Sequence, residues 1–323
     1  MRSGDRIRGA FAGLAIGDAA GWPAARHRSA LLAPWSRRLA RELDAFAEEH
    51  RLTTLPVPFA LNQPVEPLAL GPSDDAEWLA WTALTIGQDR AAAFGALAGR
   101  DDLRARVSVR TALDNLAAGK PPPASGHDNP HFFDDAAAVR AVAFGAAGAD
   151  PRADAEVTNS GDGVLAAVAV AAAVAELVAG APAEAAVVAA LAELPGDTAI
   201  GHAARLALAA ARAAGDPFAA VPALDAVLLD HVYSYGVGAA QTVAVALALT
   251  EVSGGALAAA VPAAACLASL ADSAPALTGA LTGACTGLSA QPAGWTAAAR
   301  TLAGCCLPEL AGTDLIDIAG GLV

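Results

Sequence analysis

Gly and Pro breaks divide the chain into stretches whose apolar positions recur at helical spacing. These predict helices over residues 5–20, 34–49, 74–98, 101–117, 135–146, 163–179, 182–193, 198–213, 222–230, 237–251, 254–269, 273–289 and 294–305. In the first, Gly9, Ala12, Gly13 and Gly17 share one face, which lets another helix approach closely. Gly17-Asp18 is expected to begin a loop. The helix over 34–49 is amphipathic, with Arg37, Arg38, Arg41, Glu42, Glu48 and Glu49 on a solvated face. The most apolar run, Val164 to Ala179, is alanine-dominated and too short to span a bilayer, so it reads as a central buried helix. Its Glu176 must be hydrogen-bonded or reach the helix edge. Loops are expected over 52–72, over 119–134, where Pro and Gly exclude regular structure, and over 158–163. With no linker, charge-block tail or short-period repeat, the chain reads as one compact all-α domain over residues 1–323.

Composition supports the helical reading. Hydrophobic residues make up 55% of the 323 positions but aromatics only 5%, so alanine, the strongest helix former, supplies much of the apolar content. The formal net charge is −13 and no basic stripe is visible, which argues against binding to a nucleic-acid backbone. An anionic substrate could still meet a divalent metal or helix N-termini. The four cysteines, Cys266, Cys285, Cys305 and Cys306, form no C-x-x-C pair and are expected to be reduced. The N-terminus lacks a signal-peptide pattern, and no membrane span is expected. A cytoplasmic protein follows as the expectation.

Candidate chemistry starts at Gly71-Pro72-Ser73-Asp74-Asp75-Ala76-Glu77. Two readings fit. Ser73 or Asp74 can cap the helix that follows, with Asp74 and Glu77 as a capping box. Alternatively, a hydroxyl and two adjacent carboxylates supply the hard oxygen ligands that Mg²⁺ or Mn²⁺ prefers. A second corner, Asp272-Ser273, precedes Gly279-Ala280-Leu281-Thr282-Gly283, a helix with its own small-residue face. Two helix N-termini, each carrying Ser and Asp, could converge on one cation pair.

At this point the sequence resembles the ADP-ribosylglycohydrolase family, whose relatives include the dinitrogenase-reductase-activating glycohydrolase. Arg6 to Gly21 resembles the family's opening G-x-x-x-G-x-x-x-G-D-A-x-G helix. Ser73-Asp74-Asp75-Ala76-Glu77 resembles its T-D-D-T-E/Q corner, and Asp272-Ser273 the end of its D-x-D-T corner. Asp135 to Arg140 and Val157 to Ser160 are weaker matches, to its N-G-x-x-M-R helix start and its T-H-S loop. The resemblance implies an all-α domain holding one or two Mg²⁺ or Mn²⁺ ions on Ser73, Asp74, Asp75, Asp272 and Ser273. It also implies hydrolysis of an N- or O-glycosidic ribosyl bond in a small-molecule or ADP-ribosylated protein substrate.

The departures fall on the chemistry. Leu270 stands where the family's first Asp of the second corner is expected, and Ala24 or Ala25 where its Glu is expected. A ligand and the usual acid/base group are therefore missing. Asn159 replaces the His of the T-H-S loop, Asp135 an Asn, and Ala76 the second Thr. Asp134 and Asp135 are helix caps, or they activate water if their loop folds over the metals, so Asp74, Asp75 and Asp135 are the catalytic candidates. Asp134, His127, His131, Asn159 and Tyr235 are the substrate-contact candidates. Pro130 argues against aligning His127 and His131 as helical metal ligands. Phe132 and Phe133 either stack on a base or pack their loop, and Tyr233 and Tyr235 either line a pocket or pack. Three functions follow: one is a metal-dependent ribosyl hydrolase, and a second is a catalytically impaired relative that binds an ADP-ribose-like ligand or a partner. A third is an enzyme repurposed to another nucleoside-type metabolite.

Overall fold

The computed structural model describes residues 3–21, 71–229 and 236–323, together with positions 41, 45, 48, 49 and 51. Most of the helix expected over 34–49 and of the 52–72 loop, as well as both tyrosines, lies outside the described residues. All regular structure among the described residues is helical. In chain order it comprises α1 (Ser3–Gly21), α2 (Asp74–Thr85), α3 (Arg90–Gly95), α4 (Val107–Ala117), α5 (Ala124–His127) and α6 (Ala136–Ala147). Next come α7 (Arg152–Thr158), α8 (Asp162–Ala179), α9 (Ala183–Ala192), α10 (Ala199–Ala214) and α11 (Pro217–Leu228). The last are α12 (Ala239–Val252), α13 (Leu257–Ala265), α14 (Ala274–Thr286), α15 (Ala293–Ala299) and α16 (Leu315–Gly320).

Several boundaries differ from the sequence expectation for local reasons. The helix expected over 74–98 breaks near Gly87, and Asp89 restarts it by accepting the Ala92 N–H at 2.8 Å. The proline-rich 119–134 segment contains the single turn α5, which side chains from neighbouring helices tie down. Asn115 Nδ2 donates to the carbonyls of Ser125 at 3.0 Å and Asp128 at 2.8 Å, and Ser125 Oγ donates to the Val157 carbonyl at 2.8 Å. α11 begins at Pro217 rather than 222. Asp216 accepts from the N–H groups of Phe218 and Ala219, and proline suits a first-turn position that needs no donor. The short helices α7 and α16 were not expected from the pattern.

The core is built largely from alanine with Leu, Val and Ile, so helices approach closely. α8 is long and apolar enough, by length and composition, to cross a membrane. Here it packs against α6, α9 and α14 with Ala166, Val170, Val174 and Leu177 buried, and Glu176 reaches the surface as expected.

The tightest packing is between α1 and α14. The face predicted from Gly9, Gly13 and Gly17 meets the Gly279–Gly283 face of α14 backbone to backbone. A Cβ added at Gly13 would lie 2.1 Å from the Gly279 carbonyl oxygen, and one at Gly279 would lie 1.9 Å from that of Gly13. This contact fixes the register of the two helices. It sets the end of α1, where Asp18 remains helical rather than opening a loop, beside the start of α14.

At Gly17 an added Cβ would sit 1.9 Å from the Pro275 carbonyl oxygen. This overlap outweighs the helix-propensity gain of about 1 kcal/mol. Gly17→Ala is therefore expected to lower the unfolding free energy in urea by about 2–3 kcal/mol or more. Gly95→Ala is the control, because nothing lies within 4 Å of an added Cβ there. It should be neutral or stabilise by up to about 1 kcal/mol. Equal effects at the two positions would remove the α1–α14 contact as the determinant.

Candidate functional site

Asp18 is buried near the end of α1 and anchors the first corner. Its carboxylate accepts from the Ser73 N–H at 2.7 Å, the Ser73 hydroxyl at 2.6 Å and the Ala76 N–H at 3.1 Å. The cap of α2 thus comes from another helix. Ser73 makes no side-chain cap bond, and its hydroxyl instead donates to Asp18 and, at 3.2 Å, to Asp74 Oδ1. The expected Asp74–Glu77 capping box does not form. Glu77 turns the other way and accepts from the backbone N–H groups of Cys305, Cys306 and Leu307 at 2.8, 2.7 and 2.9 Å.

The second corner arrives on α14, with Ser273 at its N-cap position making no side-chain cap bond. Between the corners lies a residue absent from the sequence-based candidates: Arg106, at the N-cap position of α4. Its side chain is 10% exposed. The guanidinium donates to Asp75 Oδ1 at 2.5 Å, to Asp135 Oδ1 and to Ser273 Oγ, and its Nε lies 3.6 Å from Asp74 Oδ2. The N-terminal regions of α2, α4, α6 and α14 therefore meet around one guanidinium. Burial opposes the charge on Arg106, but Asp75, Asp74, Asp272 and Asp134 outweigh it and raise its pKa above the ordinary arginine value. Burial pushes Asp75 well above the usual carboxylate range. Arg106 pulls it down, while Asp74, Asp18 and Asp272 push it further up.

A buried relay supports this cluster from behind. Asp154 accepts from Arg90 Nε at 2.9 Å and from Arg140 Nε at 2.8 Å. Arg140 also donates to Thr158 Oγ1 at 2.7 Å, and Thr158 donates to Asn159 Oδ1 at 2.6 Å. Asn159 Nδ2 in turn donates to Asp134 Oδ1 at 2.9 Å. The two weaker sequence matches, at 135–140 and 157–160, are thus joined by direct hydrogen bonds. Asp75, Trp78, Arg106, Val109, Ala136, Val139 and Arg140 line a small pocket beside the cluster.

The fold brings together Ser73, Asp74, Asp75, Asp134, Asp135, Asn159, Asp272 and Ser273. His127 is exposed at the end of α5, and His131 stacks on Phe133 with centroids 6.1 Å apart. Phe132 packs edge-on against Phe133, with centroids 5.5 Å apart. Tyr235 lies outside the described residues. Leu270 is buried among apolar neighbours, so the second corner offers no further carboxylate there.

The donor set as arranged does not fit a resident Mg²⁺ or Mn²⁺. Such an ion would sit about 2.0–2.2 Å from its oxygen ligands. One guanidinium nitrogen already bonds both Asp75 and Ser273, the two oxygens through which the corners face each other. Residual acceptors do exist. Asp75 Oδ2, Asp134 Oδ2 and Asp135 Oδ2 are buried and receive no hydrogen bond. Elsewhere among the described residues, Glu77, Cys305 and Cys306 bring ligand-type atoms within 4.8 Å of one another. There the Glu77 carboxylate is committed to three backbone N–H groups. The Cys306 thiol is held protonated by its contact with Cys305 and by burial, whereas metal binding needs the thiolate.

A sequence profile of the ADP-ribosylglycohydrolase family matches residues 1–321. Among solved structures, a protein titled "ADP-ribosylglycohydrolase-related protein complex" is similar with a TM-score of 0.60 and 19% identity. The match covers 99% of this chain and 98% of that one. No curated protein matches significantly.

Two expected outcomes follow from the geometry. Glu77→Ala leaves three backbone N–H groups without their acceptor and should lower the unfolding free energy by about 3 kcal/mol or more in denaturant titration. A loss under about 1 kcal/mol, the range of an ordinary surface change, would refute that role. The second outcome concerns pH. Asp75 binds its proton more tightly in the folded chain than in the unfolded one. Folding therefore takes up a proton between the ordinary carboxylate range and the raised value, and stability falls as pH rises through that window. Asp75→Asn should show a flatter stability profile than the wild type over the same window, and superimposable profiles would contradict the assignment.

Proposed function

Because the chain belongs to the ADP-ribosylglycohydrolase family, we propose that it is a catalytically impaired relative that binds an ADP-ribose-like ligand without hydrolysing its ribosyl bond. One observation carries this reading. Arg106 ties up Asp75, Asp135 and Ser273 at once, three of the groups from which cation binding and water activation were expected. Asp134, the other candidate base, is held by Asn159. A carboxylate oxygen that already accepts from a fixed guanidinium is not available to take a proton from water. The positions of Leu270 and Ala24–Ala25 add no replacement.

Binding is supported by what is left over. The buried oxygens Asp134 Oδ2 and Asp135 Oδ2 offer acceptors, and Asp75 Oδ2 accepts or, where it carries the proton, donates. Ribose hydroxyls are donors of the matching kind. The ligand is therefore expected to engage the cluster through its ribose hydroxyls rather than its phosphates, which the excess of carboxylates repels.

A second reading, hydrolysis of a ribosyl bond in a small molecule or an ADP-ribosylated protein, is favoured by the raised pKa of Asp75. A carboxyl group that keeps its proton above the usual range can act as a general acid. Calorimetric titration with ADP-ribose, alongside incubation with ADP-ribosylated arginine and serine peptides, separates the two. Saturable binding with no ADP-ribose released supports the first reading. Release that depends on Asp75 overturns it in favour of the second, and absence of binding overturns it outright.

A further inference from the structure

We propose that Arg106 is the resident cation of this cluster, standing in the place of a divalent ion, so that the chain assembles its site without Mg²⁺ or Mn²⁺. The inference rests on the reading above only in taking the two corners as the site. Three observations carry it. The first is position. One guanidinium spans Asp75 on α2, Asp135 at the start of α6 and Ser273 at the start of α14, so it joins the same elements that a bridging ion would join. A planar fork of N–H donors can serve several acceptors at once, which a lysine ammonium does less well.

The second observation is that the placement is unfavourable unless the carboxylates compensate. Arg106 sits at the N-cap position of α4, where the helix dipole disfavours a cation, and its side chain is only 10% exposed. Nothing local in the sequence holds it there, since its immediate neighbours are Ala105 and Val107 and the nearest charged residue is Arg104. Its ionic partners all come from other elements.

The third is charge and space. A divalent ion beside a buried guanidinium would meet like-charge repulsion with little solvent to screen it. Leu270, buried where a further carboxylate would serve an ion of higher charge, fits a cluster whose cation carries one charge. With a single positive charge, a smaller set of carboxylates is sufficient.

The test reads metal binding directly, with no ligand or turnover. Mn²⁺ is titrated into the full chain and free Mn²⁺ is followed by electron paramagnetic resonance, with thermal melts in Mn²⁺, Mg²⁺ and chelator. The wild type should bind no Mn²⁺ at the cluster, and its melting temperature should not respond to metal or chelator. Arg106→Ala should melt lower in chelator and recover in Mn²⁺, because the uncompensated carboxylates then bind the ion. Its Mn²⁺ affinity should exceed that of the wild type by at least about tenfold, and Asp74→Asn in the same background should abolish the gain. Arg106→Gln, neutral and of similar reach, repeats the comparison if the alanine variant does not fold. Stoichiometric Mn²⁺ binding by the wild type that Asp74→Asn removes would overturn the proposal. So would equal, negligible Mn²⁺ binding by the wild type and a folded Arg106 variant. Failure of ADP-ribose to bind would leave these metal readouts unaffected, so the two readings fail separately.

Discussion

The contact between α1 and α14 leaves no room for a single Cβ along its centre, and the site inherits its geometry from that restriction. With Gly13 and Gly17 seated on Gly279 and Pro275, α1 cannot slide along α14 without driving atoms into backbone carbonyls. Asp18 is therefore held beside the start of α14. From there it bonds the Ser73 N–H and hydroxyl and the Ala76 N–H, which fixes where α2 begins. One packing constraint thus sets two corners, and the carboxylates near them are buried as a consequence of the close approach.

Burying so many acids in one place creates the next problem. Helix N-termini help, because each dipole favours a nearby negative charge by roughly 0.3–1 kcal/mol. That is small against the several kcal/mol effectively lost when an ion leaves water. Arg106 acts at the larger scale, and this decides the conflict at α4. A cation at a helix N-terminus loses up to about 2 kcal/mol to the dipole, whereas removing one partner of a buried ion pair costs about 3–5. The cluster dictates the position of the arginine, and the helix tolerates it. Behind it, Arg90 and Arg140 share Asp154, so positive charge is in excess there. Arg90 and Arg140 also lie over the Trp81 and Phe94 rings, each at 5.0 Å from a ring centroid, which keeps their guanidinium planes in place.

Much of this was legible in the chain, and the rest was hidden for physical reasons. Glycines at helical spacing announce a close helix partner, and both faces were visible before either was seen to meet the other. Acid and hydroxyl before an apolar run announce a helix start, and the family resemblance suggested that Ser73-Asp74-Asp75 and Asp272-Ser273 converge. The destination of each side chain did not follow. Glu77 fits a local capping box, yet its carboxylate serves the 305–307 backbone, more than two hundred positions away in sequence. Arg106 gave no signal, because the expected helix over 101–117 puts it in the interior, whereas the structure starts that helix at Val107 and leaves Arg106 at its N-cap. The turn at α5 was obscured because proline content argues against helix locally, while Asn115 and Val157 impose it from outside.

The proposed role of Arg106 agrees with how the two kinds of cation hold their acceptors. Cation identity is set less by which oxygens are present than by how much negative charge must be balanced and how far apart the acceptors stand. A small divalent ion draws its ligands to about 2 Å in near-octahedral order and concentrates its charge at a point. A guanidinium spreads one charge over a plane and meets each acceptor at hydrogen-bond length, so it tolerates acceptors on several helices that do not form an octahedron. Asp75, Asp135 and Ser273 come from three different elements; Asp75 and Ser273 share one terminal nitrogen of that plane and Asp135 takes the other. With Leu270 in place of another acid, the demand for positive charge falls while the demand for a tie between α2, α6 and α14 remains. An arginine meets the second demand fully and the first only in part. Burial first, and then Asp74, Asp18 and Asp272, hold the Asp75 proton above the usual carboxylate range against the pull of Arg106.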